Sequence, residues 1–305
     1  MAGLRIAFLG LPIAALLLAE DGHEIVLAGI CRRGAPGTRR LRALLGDARV
    51  DVRPTLAKTY VRRVHEARPD LVVSWFWTTK IPAALIAAAP LGGFGVHPSL
   101  LPRWRGPDPY FWAIDAGDAT TGVTAHRLAE EYDTGALLGR RVVPIDPRWS
   151  SWQLARALDG PSLGLVRELA GRLAAGERVA EALQDESAVT EAPAPGDELL
   201  EIDWRASADR IARRVRAAAP YPGAWTFIGE AAVVVTRVEV VERPRGVDPG
   251  EGRVLGGRAV IAAGHGGLAL LEGRIVGDDD VERPADVGAL ATILSRAGPS
   301  RGLSG

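Results

Sequence analysis

RIAFLGLPIAALLLAEDGHEIVLAGI, residues 5–30, reads as strand, turn, helix and second strand in one short stretch. Arg5 to Leu9 is a compact apolar run. Gly10 and Pro12 interrupt it, and a proline is tolerated where a helix begins because its missing N–H would have had no helical partner there. His23 to Leu27 then opens another apolar run. DLVVSWFW, residues 70–77, supplies a third after a polar loop and a helical stretch. Apolar strands that alternate with helices predict a doubly wound α/β domain, a mostly parallel sheet with helices on both faces. Ligands of such sheets bind at the strand ends. Arg5 ahead of an apolar stretch also resembles a secretion signal, but Pro12 and the following strand favour the strand-turn-helix reading. No apolar run is long enough to span a bilayer.

Outward from this core, Asp108 and Pro109 read as the start of a short helix, and GDATTG, residues 117–122, as a turn. GVTAHRL (122–128) and ALLGRRVVPI (136–145) read as strands flanking EEYDTG (130–135), which places Asp133 on a loop. A helical section runs from Ser151 to about Gly176. Residues 187–200 are rich in Pro, Glu and Ala and poor in large apolar side chains, which predicts a linker between domains spanning 1–186 and 201–305. Past it, Ile211 and Val215 fall on one face of an amphipathic helix. Short strands separated by Gly and Pro (AWTFI, AAVVVTRVEVV, GRVLGG, RAVIAA, LALLEGRI) then predict a small open β-barrel of OB-like type. The final GPSRGLSG, residues 298–305, is expected to be disordered.

The 305 residues suffice for two cores, with 47% hydrophobic residues. Acidic and basic residues balance at 37 each, so any polyanion site must be local. The single cysteine, Cys31, has no disulfide partner, and a reducing compartment, the cytoplasm, fits best. Gly-x-Ser-x-Gly, Walker, paired-cysteine zinc and His-Glu-x-x-His patterns are absent from the sequence, so no metal or nucleotide role is expected.

GVHPSLLPRWRG, residues 95–106, and Asp133 carry the chemistry. His97 follows three glycines and precedes Pro98, which extends its backbone. An imidazole paired with a carboxylate suits proton transfer near neutral pH. HPSLLPRWRG, with a DTG turn 36 residues after His97, closely resembles the 10-formyltetrahydrofolate-dependent formyltransferases. The resemblance continues through GVTAHRLAEEYDTGALL (122–138). IDWRASADRIARRVRAAAPYPGAWTF (202–227) looks like the entry to the C-terminal domain of the methionyl-tRNA members of that family.

The resemblance implies a formyltransferase-type catalytic domain and a C-terminal barrel, with 10-formyltetrahydrofolate as co-substrate and a primary amine as acceptor. It makes His97 the proton shuttle and Asp133 the group that orients it. Gly95 stands where the family has an asparagine whose amide meets the developing oxyanion. Loss of one such donor costs about 2.7–4 kcal/mol, against total barrier reductions of about 8–23 kcal/mol, so the exchange is compatible with a slowed enzyme, a rebuilt one or a folate-binding protein. Ser99, Leu100, Leu101 and Pro102 match the segment beside the donor, and Trp77, Lys80 and Ile81 lie in the stretch that lines the pterin pocket. Lys80, one of only two lysines, reads either as a solvated residue or as a charge near the folate tail or the missing amide.

Arg103 and Arg105 flank Trp104 at the expected mouth and are candidates to receive an anionic acceptor. Arg32, Arg33, Arg39, Arg40 and Arg42 follow the second strand, where the tRNA enzymes carry a basic insertion, and point to initiator methionyl-tRNA. Against that, residues 187–305 carry 14 basic and 17 acidic groups, net −3. A small amine, such as an amino sugar or amino acid derivative, is the alternative acceptor.

Overall fold

The computed structural model describes residues 3–277 and 279–297. In chain order the elements are β1 (Arg5–Gly10), α1 (Pro12–Glu20), β2 (Glu24–Ile30), α2 (Thr38–Leu45), β3 (Val50–Val52), α3 (Lys58–Ala67), β4 (Leu71–Trp75), α4 (Ala83–Ile86), β5 (Gly93–His97), α5 (Pro109–Ala116), β6 (Thr120–Arg127) and β7 (Leu137–Pro144). There follow α6 (Ser151–Ala174), α7 (Asp197–Leu200), α8 (Ala208–Ala218), β8 (Ala224–Ile228), β9 (Ala231–Val241), β10 (Gly252–Leu255), β11 (Arg258–Ala262), β12 (Gly267–Val276), β13 (Glu282–Ala285) and α9 (Val287–Ala297).

The first sheet has the order β3-β2-β1-β4-β5-β6-β7. Strands β3 to β5 run parallel, and β6 and β7 turn antiparallel at one edge. Central β1 is buried on both faces, with Ile6, Phe8 and Leu9 at 2% exposure or less, which is why its sequence shows no polar alternation. Pro12 opens α1, and Gly22, at φ +89°, reverses the chain into β2. Gly10 is required at the end of β1. Its φ is +144°, and a Cβ there would lie 1.8 Å from the Trp75 carbonyl oxygen. The order reverses between β1 and β4, so the ends of β1, β4 and β5 frame the crevice where ligands of such sheets bind.

Contacts divide the described residues into one unit lying within 1–109, 120–144 and 156–193 and another lying within 110–119, 145–155 and 194–305. The first half of the stretch read as a linker belongs to the first unit. There Thr190 O accepts from Arg105 N (2.9 Å), Ala192 N donates to Arg105 O (2.6 Å), Ala192 O accepts from Asp108 N (3.0 Å), and Ala192 is fully buried. These bonds are made by the main chain, so side-chain composition gave no sign of them.

The second unit holds an antiparallel sheet in the order β10-β11-β12-β9-β8, with β13 on β12. β8 and β10 lie at its two ends, the open arrangement of a small β domain. Ser207 caps α8 by accepting from Arg210 N, and Ile211 and Val215 are buried from its apolar face. Residues 298–305, expected to be disordered, lie outside the described residues. Among the described residues no helix is long and apolar enough to cross a membrane.

Candidate active site

β5 ends at His97, and the loop behind it is tied to β6 through Thr124. The Thr124 hydroxyl donates to Ser99 O (2.7 Å) and accepts from Leu101 N (3.1 Å). Ser99 Oγ donates to Arg103 O at 2.6 Å. Ser99 and Leu101 are therefore buried supports of the loop, while Leu100 and Pro102 are half-buried on it. The chain turns back so that Trp104 O meets His97 Nε2 at 2.8 Å. A carbonyl is only an acceptor, so the hydrogen of a neutral His97 ring belongs on Nε2, and Nδ1 is the position that gains or loses a proton.

Asp133 brings its carboxylate to that nitrogen, with Oδ2 3.4 Å from His97 Nδ1. Its backbone is left-handed at φ +57°, a conformation aspartate tolerates better than most residues. Gly106 N donates to Oδ2 (3.1 Å), and Gln184 Nε2 donates to Asp133 O (2.7 Å) and Gly135 O (2.8 Å), which fixes the turn. The two sequence-predicted catalytic side chains thus meet at the strand-end edge of the first sheet.

A third side chain joins them. His126 Nε2 lies 3.5 Å from Asp133 Oδ1, and its Nδ1 is 3.0 Å from Arg127 O. Burial pushes the His126 imidazolium pKa down, the Asp133 carboxylate opposes that, and His97 adds to the fall. Sequence reasoning passed over His126 and Gln184. A usable signal for His126 was strand alternation, because Thr124 and His126 share one face of β6 and that face carries the site loop.

Trp77 is half-buried against the cluster containing Ile81 and Leu85, and its buried indole N–H has no hydrogen-bond partner. Ile81 is buried. Lys80 is exposed, with Nζ 2.9 Å from Glu131 Oε1, so its charge meets the loop that carries Asp133. Arg105 departs from expectation. It is buried, and its guanidinium bonds Gln184 Oε1 (2.7 Å) and Glu186 Oε1 (2.8 Å), so it braces the site from within and is not an exposed anion receiver. Half-buried Arg103 lies over the Trp104 ring at 4.2 Å.

The structure does not bring Arg39, Arg40 and Arg42 to His97. They are exposed on α2, with Arg40 paired to Glu20 and Arg42 to Asp47. Because β2 and β5 are parallel strands of one sheet, Arg32 and Arg33 still leave β2 at the edge where the His97 loop begins. Among the described residues no group of three or more His, Cys, Asp or Glu side chains is placed to hold a metal ion.

An imidazole whose exchangeable nitrogen faces a carboxylate, at the end of a parallel strand, suits acid-base catalysis of group transfer. Comparison with known proteins agrees. The formyl transferase family model matches residues 43–162, and the formyl transferase C-terminal domain model matches residues 197–281. Methionyl-tRNA formyltransferase from Thiobacillus denitrificans is 34% identical over 289 residues, 88% of this chain and 91% of that protein. The same enzyme from Phenylobacterium zucineum is 32% identical, covering 92% of this chain and 95% of that one.

Among solved structures, HypX from Aquifex aeolicus in complex with tetrahydrofolic acid superposes with a TM-score of 0.68 at 22% identity over 97% of this chain. This chain spans about half the length of HypX, 48%. An N-formyltransferase from Helicobacter canadensis gives a TM-score of 0.66 at 13% identity, covering 88% of this chain and 99% of its own, so these two likenesses concern the fold. With both family models matched in order and relatives above 30% identity along nearly the whole length, the chain belongs to the formyltransferase family and is an enzyme of that class.

Proposed function

We propose that this formyltransferase moves the formyl group of 10-formyltetrahydrofolate to a primary amine, with methionyl-tRNA as the acceptor and the cytoplasm as the compartment. The observation that carries the reading is the His97–Asp133 pair at the end of β5. The amine lone pair attacks the formyl carbon, a C–N bond forms, and the carbonyl pair moves to oxygen. The proton released by the attacking nitrogen enters the His97–Asp133 pair. When the oxyanion collapses, the bond from carbon to the folate N10 breaks, and N10 takes a proton back from the same pair. No net acid or base is consumed.

Trp77, Ile81, Leu100 and Pro102 are the apolar surfaces proposed to hold the flat pterin, with the unpartnered Trp77 N–H as a donor toward it. Ser99 and Leu101 act by shaping the loop, and Lys80 by tying the Trp77 segment to the Asp133 loop. Two methionyl-tRNA formyltransferases above 30% identity support the tRNA acceptor, as do the exposed arginines at positions 32, 33, 39, 40 and 42. The net −3 charge of residues 187–305 favours a second reading, a small amine such as an amino sugar. Purified enzyme supplied with 10-formyltetrahydrofolate and either initiator methionyl-tRNA or a panel of amino sugars separates the two. Formylmethionyl-tRNA is the expected product, and turnover confined to the sugars would reassign the acceptor.

A further inference from the structure

Gly95 and His126 are register partners across the antiparallel pair β5–β6. The backbone at Gly95 does not demand glycine. A Cβ there would meet Leu128 Cδ2 at 3.4 Å, His126 Nε2 at 3.6 Å and Ser74 O at 3.6 Å, all ordinary contacts. A longer side chain has the His126 ring among its nearest neighbours. The absence of a side chain at 95 therefore leaves a small space bounded by an imidazole nitrogen, two residues from His97 on the same strand.

The protonation pattern gives that nitrogen a role. His126 Nδ1 sits 3.0 Å from Arg127 O, so the hydrogen of the neutral ring belongs there and Nε2 carries the lone pair. Nε2 faces Asp133 Oδ1 at 3.5 Å, and Asp133 Oδ2 faces the equally bare Nδ1 of His97 at 3.4 Å. Two imidazoles thus flank one carboxylate. Each has its outer nitrogen fixed by a backbone carbonyl and its inner nitrogen without a hydrogen. Lone pairs facing a carboxylate repel, and one added proton converts either contact into an ion pair, so the trio is built to take up a proton. Burial keeps the His126 ring neutral until that proton arrives.

We propose that His126 is a second catalytic residue of the formyl transfer: the proton that the attacking amine gives to the His97–Asp133 pair is shared through Asp133 with His126 Nε2, which as imidazolium donates a hydrogen bond to the formyl oxygen across the space that Gly95 leaves. As the C–N bond forms, the carbonyl pair moves to oxygen and the amine proton enters the His97–Asp133–His126 trio. As the carbonyl re-forms, the bond to N10 breaks, and its electron pair takes the proton back through the Asp133 trio. The assignment rests on the formyl-transfer reading above and is independent of which amine is the acceptor.

His126→Ala is expected to lower kcat by about 10²–10³-fold, the loss typical of one oxyanion donor, with affinity for tetrahydrofolate unchanged within about threefold as the control for an intact pocket. His126→Gln, which keeps an N–H donor, should retain more activity than His126→Leu. Gly95→Asn is the decisive partner. Alone it should reduce kcat by crowding the ring, whereas in the His126→Ala background the amide has room and should raise kcat at least about tenfold. The groups facing His126 are Asp133, His97 and Arg105, and the acid limb of the wild-type kcat/KM profile should change shape in His126→Ala. A folate analogue whose carbonyl hydrates to a tetrahedral diol gives a readout without turnover: His126→Ala should lose at least about tenfold in affinity for it. Wild-type kcat and analogue affinity in His126→Ala, or an equal effect of Gly95→Asn in both backgrounds, would overturn the assignment while leaving formyl transfer intact. A wild-type protein that binds no tetrahydrofolate would overturn the formyl-transfer reading and this assignment with it.

Discussion

Gly95 and His126 stand opposite each other on neighbouring strands, with the imidazole Nε2 3.6 Å from the point where a Cβ at 95 would lie. A missing side chain on β5 is thus matched by a polar ring on β6 that borders the vacated volume. The pair sets a departure from the family motif at one position beside a polar ring 31 residues further along the chain. Neither residue alone predicts the state of the site.

His97 and Asp133 should lose function by different routes. His97→Ala removes the ring proposed to exchange the proton and should lower kcat by about 10²–10⁴-fold. Asp133→Asn keeps a side chain that tolerates φ +57° and leaves an oxygen to accept from Gly106 N, yet removes the charge proposed to act on the His97 ring. It should lower kcat comparably with little change in thermal midpoint. Steady-state kinetics beside tetrahydrofolate binding checks both. A kcat within twofold of wild type in His97→Ala would remove this ring from the mechanism.

Much of this was legible in the chain. The apolar runs 5–9, 23–27 and 70–77 named the central strands because continuous burial leaves no polar alternation to confuse the reading. Asp133 fell on a loop because EEYDTG interrupts two strand patterns. What stayed hidden depends on main-chain pairing and on register. The 187–200 stretch reads as a linker by composition, but backbone bonds that any side chain would permit hold Thr190 and Ala192. Arg105 looks like a surface cation because its partners Gln184 and Glu186 lie some 80 residues on. His126 looks like an ordinary strand residue until β6 is laid against β5.

The tRNA reading makes α2 an electrostatic docking element. Arg39, Arg40 and Arg42 are exposed, and the pairs Arg40–Glu20 and Arg42–Asp47 are of the kind that add little stability. Replacing all three by alanine should leave the fold intact and flatten the dependence of log K on log salt for methionyl-tRNA by roughly 0.7–0.9 for each phosphate no longer neutralised. Binding titrations at several salt concentrations measure the slope. An unchanged slope would direct attention to a small amine acceptor.

Asp115 is the buried anchor of α8 within the second unit. Its Oδ1 accepts from Arg210 Nη1 and Arg214 Nε at 2.6 Å each, and Oδ2 from Arg210 Nη2 at 2.8 Å. Burial raises the Asp115 pKa, but the hydrogen bonds from Arg210 and Arg214 outweigh it and hold the carboxyl below its ordinary value. A depressed folded-state value stabilises above the unfolded pKa near 3.9 and is lost as pH falls through the folded one. Asp115→Ala leaves two guanidinium groups around an empty site and should cost about 3–5 kcal/mol. Urea unfolding at neutral pH reads this directly, and a loss under about 1 kcal/mol would mean the arginines re-pair elsewhere.

His23 gives the opposite kind of pH dependence. It is buried, and its Nδ1 accepts the backbone N–H of Leu4 at 3.1 Å, a bond that protonation of Nδ1 destroys. Burial lowers its pKa, with Asp21 opposing the shift. The folded state therefore binds fewer protons than the unfolded state, whose histidine titrates near 6.5. Stability is full above about pH 6.5, declines as pH falls toward the folded-state value, and then levels off, at about 1.4 kcal/mol for each unit separating the two. His126, also held low by burial, contributes with the same sign. His23→Gln offers a carbonyl oxygen to Leu4 N without a titrating proton, so the fall in unfolding free energy between about pH 7 and 5 should be shallower than in wild type. Urea denaturation at stepped pH values measures that difference, and an identical slope in the two proteins would place the acid sensitivity elsewhere.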